Sequence, residues 1–216
     1  GEKAYLKSSL QFVGSGVPAV RSTVKAWLRP HSDLTHHDLF AVADALWSHP
    51  IHECRLAAIE LLSCRPLLVT LTDVPWIYNN LRDSHTWALV DPLAGGVTAD
   101  LTARDPDGLL PHLDRWVHDG DFWIRRSAML ALRTLLRRDE QLERFFDYSE
   151  LLLPEKEFFS RKVIGGVMRE GAGRRERATR ARPAPLTHCG AARRVVHPSR
   201  RLPRELLDRV ADVGRA

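Results

Sequence analysis

Thr35-His36-His37-Asp38-Leu39-Phe40-Ala41-Val42-Ala43-Asp44-Ala45-Leu46-Trp47-Ser48-His49-Pro50, running directly into Ile51-His52-Glu53-Cys54-Arg55-Leu56-Ala57-Ala58-Ile59-Glu60-Leu61-Leu62-Ser63, decides the fold. Thr35 can cap a helix from His36 to Ser48, whose Leu39, Val42, Ala43 and Leu46 share one face, and Pro50 breaks it. The run from Ile51 to Ser63 is apolar enough, through Leu56, Ala57, Ala58, Ile59, Leu61 and Leu62, to be largely buried. Two short helices joined by a proline break form a pair.

Outward from this pair, the same signals recur. Pro18 to Leu28 begins with a proline in a first turn and stops at Pro30. Further helices fit Asp73–Asp83, His85–Ala99, Pro106–Asp119, Asp121–Arg138, Glu140–Leu153 and Lys156–Glu170, while strand alternation and hairpin dipeptides are lacking. The helices pair at intervals of roughly 35–45 residues, the spacing of HEAT-type repeats. Short helix pairs cannot bury their apolar faces alone, and stacking solves that problem. The expected fold is all-α, a HEAT-like helical repeat superhelix with a basic concave face; a compact helical bundle is the alternative. Residues 1–171 are expected to form this domain. Residues 172–200, rich in arginine and proline, lack apolar periodicity and are expected to be poorly ordered, with a C-terminal helix over 201–216.

The chain has 216 residues and a formal net charge of +5, with a pI of about 9.4, which favours an anionic partner. Cys54, Cys64 and Cys189 show no metal-like or disulfide-like spacing and suit a reducing, cytoplasmic compartment. His36-His37 could bind metal or cap a helix, and capping or solvated histidines are the commoner case. No apolar run approaches a membrane span, so no membrane partner is expected.

Two stretches mix aromatics with basic residues: Asp121-Phe122-Trp123-Ile124-Arg125-Arg126-Ser127-Ala128 and Glu155-Lys156-Glu157-Phe158-Phe159-Ser160-Arg161-Lys162. Aromatic faces meet bases and sugars, and guanidinium or ammonium groups meet phosphates. The plainer reading is two amphipathic helices with aromatics in the core. Trp87 and Asp91 stand one turn apart, a pairing that suits a cationic ligand or a cationic sugar-like transition state, although a core indole beside a solvated aspartate reads the same. Pro92 should bend that helix or end it. Phe159, Lys162, Gly166 and Arg169 follow 3-4-3 spacing along one stripe, with Phe158 at its edge, and Trp123 and Arg126 are likewise one turn apart.

Together these residues resemble the AlkD-like DNA alkylation repair glycosylases, over Tyr5 to about Glu170. The marks are Tyr5-Leu6-Lys7, the glycine and proline before Arg21, Glu53-Cys54-Arg55-Leu56-Ala57-Ala58, Trp87 with Asp91, Phe122 to Ala128, and Glu157-Phe158-Phe159 with Lys162. The resemblance implies a HEAT-like superhelix around duplex DNA containing alkylated purines, acting as a monomer without metal or organic cofactor. It implies Asp91 as the catalytic carboxylate, Trp87 as an aromatic flanking the lesion's deoxyribose, and Arg126 as an arginine of the catalytic region and DNA backbone. It further implies Tyr5, Arg21, Trp123, Phe158, Phe159, Lys162, Gly166 and Arg169 as DNA-contacting positions. Two departures stand out. Gly166 occupies the place of the family's second cleft tryptophan, and the arginine-rich stretch after Glu170 resembles a short out-of-frame segment. The start also lacks the helix that usually precedes Tyr5, which implies truncation. The reading is therefore a glycosylase for cationic N3- or N7-alkylpurines; a non-catalytic DNA-binding relative and a protein scaffold are the alternatives.

Overall fold

The computed structural model describes residues 9–152, which form helices and connecting turns; among the described residues the extended pairing is an isolated parallel bridge between Gln11 and Ile51. In chain order the helices are α1 (Val17–Leu28), α2 (His36–Ser48), α3 (His52–Cys64), α4 (Val74–Ser84), α5 (Trp87–Pro92), α6 (Ala99–Arg104), α7 (Pro106–Trp116), α8 (Phe122–Ala131), α9 (Arg133–Leu136) and α10 (Leu142–Leu152). A π-helical turn over Leu93–Thr98 joins α5 to α6, and two short 3-10 turns, Pro66–Leu68 and Leu71–Asp73, separate α3 from α4.

The helices form two layers. One, the site layer, holds α1, α3, α5–α6 and α8–α9, and the other, the back layer, holds α2, α4, α7 and α10. α3 packs on both α1 and α2, and the π turn packs on α3 and α8. Within the site layer neighbours run parallel. Val13 to Ser15, before α1, meet Glu53 at the start of α3; Arg21 meets Glu60; and the Leu28 carbonyl, at the end of α1, meets Arg65 just beyond α3. Asp91 meets Arg126 on α8 in the same sense, and Gly95 lies beside Leu130 and Arg133.

The period is written in the hydrogen bonds. Site-layer ties span 39 residues (Arg21 to Glu60), 38 (Arg104 to the Pro66 carbonyl) and 35 (Arg126 to Asp91). Back-layer ties span 36 (Trp47 to Asp83), 41 (Tyr78 to Asp119) and 34 (Tyr148 to Asp114). Parallel neighbours one repeat apart are the arrangement of stacked helix pairs, whereas helices joined in sequence in an up-down bundle alternate in direction. The all-α expectation holds, and the parallel layering is in keeping with HEAT-like stacking rather than with the compact bundle.

Local chemistry sets most boundaries. Thr35 and Asp38 form a reciprocal capping box at α2, and Thr86, Asp105 and Asp121 accept backbone N–H bonds at the starts of α5, α7 and α8. Ile51, Asp73 and Asp121, read as first helical residues, stand outside their helices. The helix expected from His85 begins at Trp87, because His85 takes a left-handed conformation with φ of 46° that closes α4. That helix does not stop at Ala99 but reaches Arg104. Pro92 is the last residue of α5, the boundary expected of it, and the wider π turn follows, with the Thr98 hydroxyl donating to the Leu93 carbonyl at 3.0 Å. The helix expected over Asp121–Arg138 is interrupted at Leu132. Gly108 admits Leu71 against α7, since a Cβ there would lie 2.1 Å from Leu71 Cδ1. The expectations for Lys156–Glu170, residues 172–200 and 201–216 lie outside the described residues.

Candidate active site

Asp91 sits at the last turn of α5, immediately before Pro92 and the π turn. The close approach of the π turn to α8–α9 brings it within reach of Arg126. Gly95 of the π turn lies against α8–α9, where a Cβ would stand at ordinary contact distance, 3.5 Å from Arg133 Nη1 and 3.8 Å from Leu130 Cβ. Arg126 then grips the carboxylate with both of its inner donors: Nε donates to Oδ1 at 2.8 Å and Nη2 to Oδ2 at 2.7 Å. The two ends differ in solvent access. The Arg126 side chain is 6 % exposed and that of Asp91 34 %. A carboxylate offers about four acceptor positions, and the guanidinium occupies two. The remainder lie on a side chain that water or a ligand can reach.

Burial corrects one expectation about α8. The stretch read as an aromatic and basic nucleic-acid face is largely core: Trp123, Ile124, Arg126, Ser127, Ala128, Met129, Leu130 and Ala131 are all buried. Phe122 lies against Trp123 with ring centroids 4.3 Å apart. Arg126 can enter this environment because Asp91 supplies its counter-charge, and the Ser127 hydroxyl is satisfied by the Trp123 carbonyl at 2.7 Å. Arg126 thus holds Asp91 through two of its donors from within the core. Trp87 opens α5, half-buried against the core and one turn before Asp91.

Arg21 makes a second ion pair of the same kind, with the ends reversed. Its Nε donates to Glu60 Oε2 at 2.9 Å and its Nη2 to Oε1 at 2.7 Å; here the carboxylate is buried (9 % exposed) and the arginine is open (51 %). Glu53, also buried, accepts the backbone N–H groups of Val13, Gly14 and Ser15 at 2.8–3.2 Å. Burial pushes the Glu53 carboxyl up, but these N–H bonds together outweigh it and hold the group below the usual glutamate range. The sequence pattern gives no role to Glu53 or Glu60. The signal was present, as two acids seven residues apart in a mostly apolar run.

His36 Nε2 lies 2.8 Å from Asp73 Oδ1. Among the described residues no cluster of three or more His, Cys, Asp or Glu side chains is placed to hold a metal ion, and no helix is long and apolar enough to cross a membrane. A cavity of about 230 Å³ lies between the end of α3 and the π turn, lined by Leu62, Ser63, Val69, Val97, Asp100 and Arg104 and not by Asp91. Tyr5, Phe158, Phe159, Lys162, Gly166 and Arg169 lie outside the described residues.

The sequence model of the DNA alkylation repair enzyme family matches residues 1–181, and the chain belongs to that family. A role in the repair of alkylated DNA follows, with DNA as the partner. No curated protein matches the chain as a relative.

Proposed function

We propose that this member of the DNA alkylation repair family is a monofunctional glycosylase that releases cationic N3- or N7-alkylpurines from duplex DNA. The observation that carries the reading is Asp91, fixed through both carboxylate oxygens by a buried arginine yet one-third open. Alkylation at N3 or N7 gives the purine a positive charge, so the C1′–N bond is already weak. As that bond breaks, its electron pair neutralises the departing base and leaves an oxocarbenium-like sugar. A water then bonds to C1′ and loses a proton. The step asks little of a general acid. It asks for an anion near C1′ and an ordered water, and a rigid carboxylate with unused acceptor positions meets both needs. Arg126 fixes the orientation of Asp91, and Trp87, one turn away, offers an aromatic face for the sugar cation.

The reading is tested by single-turnover release of free base from duplex DNA carrying 7-methylguanine. The wild-type protein should release it without added metal. No release above the spontaneous rate, with duplex binding intact, would instead support a non-catalytic DNA-binding relative.

A further inference from the structure

Glu53 and Glu60 lie seven residues apart on α3, two turns along one face, and both are buried. A buried carboxylate is costly, and in a layer that faces a polyanion it would also repel phosphates. Both carboxylates are engaged. Glu53 is consumed by three backbone N–H groups that shape the turn before α1. Glu60 faces Arg21, one turn into α1.

A guanidinium has two forks of donors, the Nε–Nη2 edge and the Nη1–Nη2 edge. Glu60 takes the first with both of its oxygens. The second edge, comprising Nη1 and the outer hydrogen of Nη2, belongs to a side chain half open to solvent. We propose that Glu60 is a positioning residue: it locks Arg21 in one rotamer so that the outward fork is preset to bind a DNA phosphate. The inference rests on the proposed DNA-facing role of this layer. Its physical basis is entropic. An unheld arginine loses rotamer freedom when it binds, and here that loss is already taken in the free protein.

Two effects of Glu60 have opposite signs, which makes the test decisive. Net charge alone predicts that Glu60→Gln tightens DNA binding, since one negative charge is removed. Positioning predicts the reverse. Anisotropy titrations with a fluorescein-labelled undamaged duplex, between about 50 and 200 mM salt, read both affinity and salt slope. Glu60→Gln should weaken binding about three- to tenfold while the slope stays, because the cation is kept. Arg21→Ala should make the slope shallower by about 0.9, and adding Glu60→Gln to it should change affinity less than twofold. A general structural role for Glu60 would act equally in both backgrounds, and thermal melts identify loss of fold. Arg21→Lys keeps a cation opposite buried Glu60 but not the second fork, and should bind more weakly than the wild type, with a thermal melt reading its fold. Glu60→Gln binding as tightly as the wild type, or Arg21→Lys binding like the wild type, would overturn the proposal. A wild-type protein with no salt-dependent binding would instead overturn the functional reading on which it rests.

Discussion

The two layers are tied together by the same length of chain but by different chemistry. In the back layer two ties bury a neutral aromatic under an open carboxylate: Trp47 Nε1 donates to Asp83 at 3.0 Å and the Tyr148 hydroxyl to Asp114 at 2.6 Å, while at the His36–Asp73 tie the carboxylate is the buried end. In the site layer the buried partner is itself charged, Glu60 under Arg21 and Arg126 under Asp91. A buried indole or phenol gains stability from its area and asks for one hydrogen bond. A buried ion gains little net stability, and losing its partner leaves it stranded. The back layer thus serves cohesion. The site layer accepts a costlier tie and obtains from it a surface charge fixed in space.

The largest expected stability effect follows from that asymmetry. Asp91→Ala removes the carboxylate that two donors of a buried guanidinium face and should cost about 1–3 kcal/mol, reduced from the fully buried case because Asp91 is partly solvated. Arg126→Met leaves an aspartate that water can reach and should cost less. Urea melts of the two variants measure the order, and equal losses would break the distinction drawn between the two ends.

Glu53→Gln comes next, at about 1–2 kcal/mol near neutral pH, for loss of hydrogen bonds to a charged acceptor. The Glu53 carboxyl is held below its ordinary value of 4.5, so its contribution is present above that pH and lost as pH falls through the lower folded value. The gap between mutant and wild type should accordingly close on acidification, and a gap that widens would contradict the assignment. Tyr148→Phe tests the back layer and should cost about 0.5–1.5 kcal/mol, since its partner Asp114 is well solvated. Smallest is His85→Gly, at the turn between back-layer α4 and site-layer α5. Relief of a left-handed histidine should stabilise the fold by about 0.5 kcal/mol, seen as a small rise in Tm.

Helix positions were legible in the sequence because caps, prolines and apolar periodicity act within a dozen residues. Thr35 with Asp38, Pro18 and Pro106 behaved as such signals should. The burial of Arg126 was not legible, because it depends on Asp91 35 residues away, and periodicity within α8 carries no information about that partner. Glu60 escaped for the same reason: its partner Arg21 lies 39 residues upstream. His85 shows a different limit. It continues an apparently helical run, and only the packing of α4 against α5 makes the left-handed turn there worthwhile. The sequence placed Trp87 one turn before Asp91, and the resemblance placed Arg126 in the same region; neither conveyed the two-pronged ion pair that fixes the carboxylate.

In the proposed mechanism Asp91, fixed by a buried arginine, performs the chemistry. Asp91→Asn keeps the shape and removes the anion, so the most direct measurement compares its single-turnover release of 7-methylguanine with its affinity for the same duplex, alongside a melt showing that it folds. Release should fall by about a hundredfold or more while affinity changes little. Release at the wild-type rate by a folded Asp91→Asn protein would contradict the mechanism.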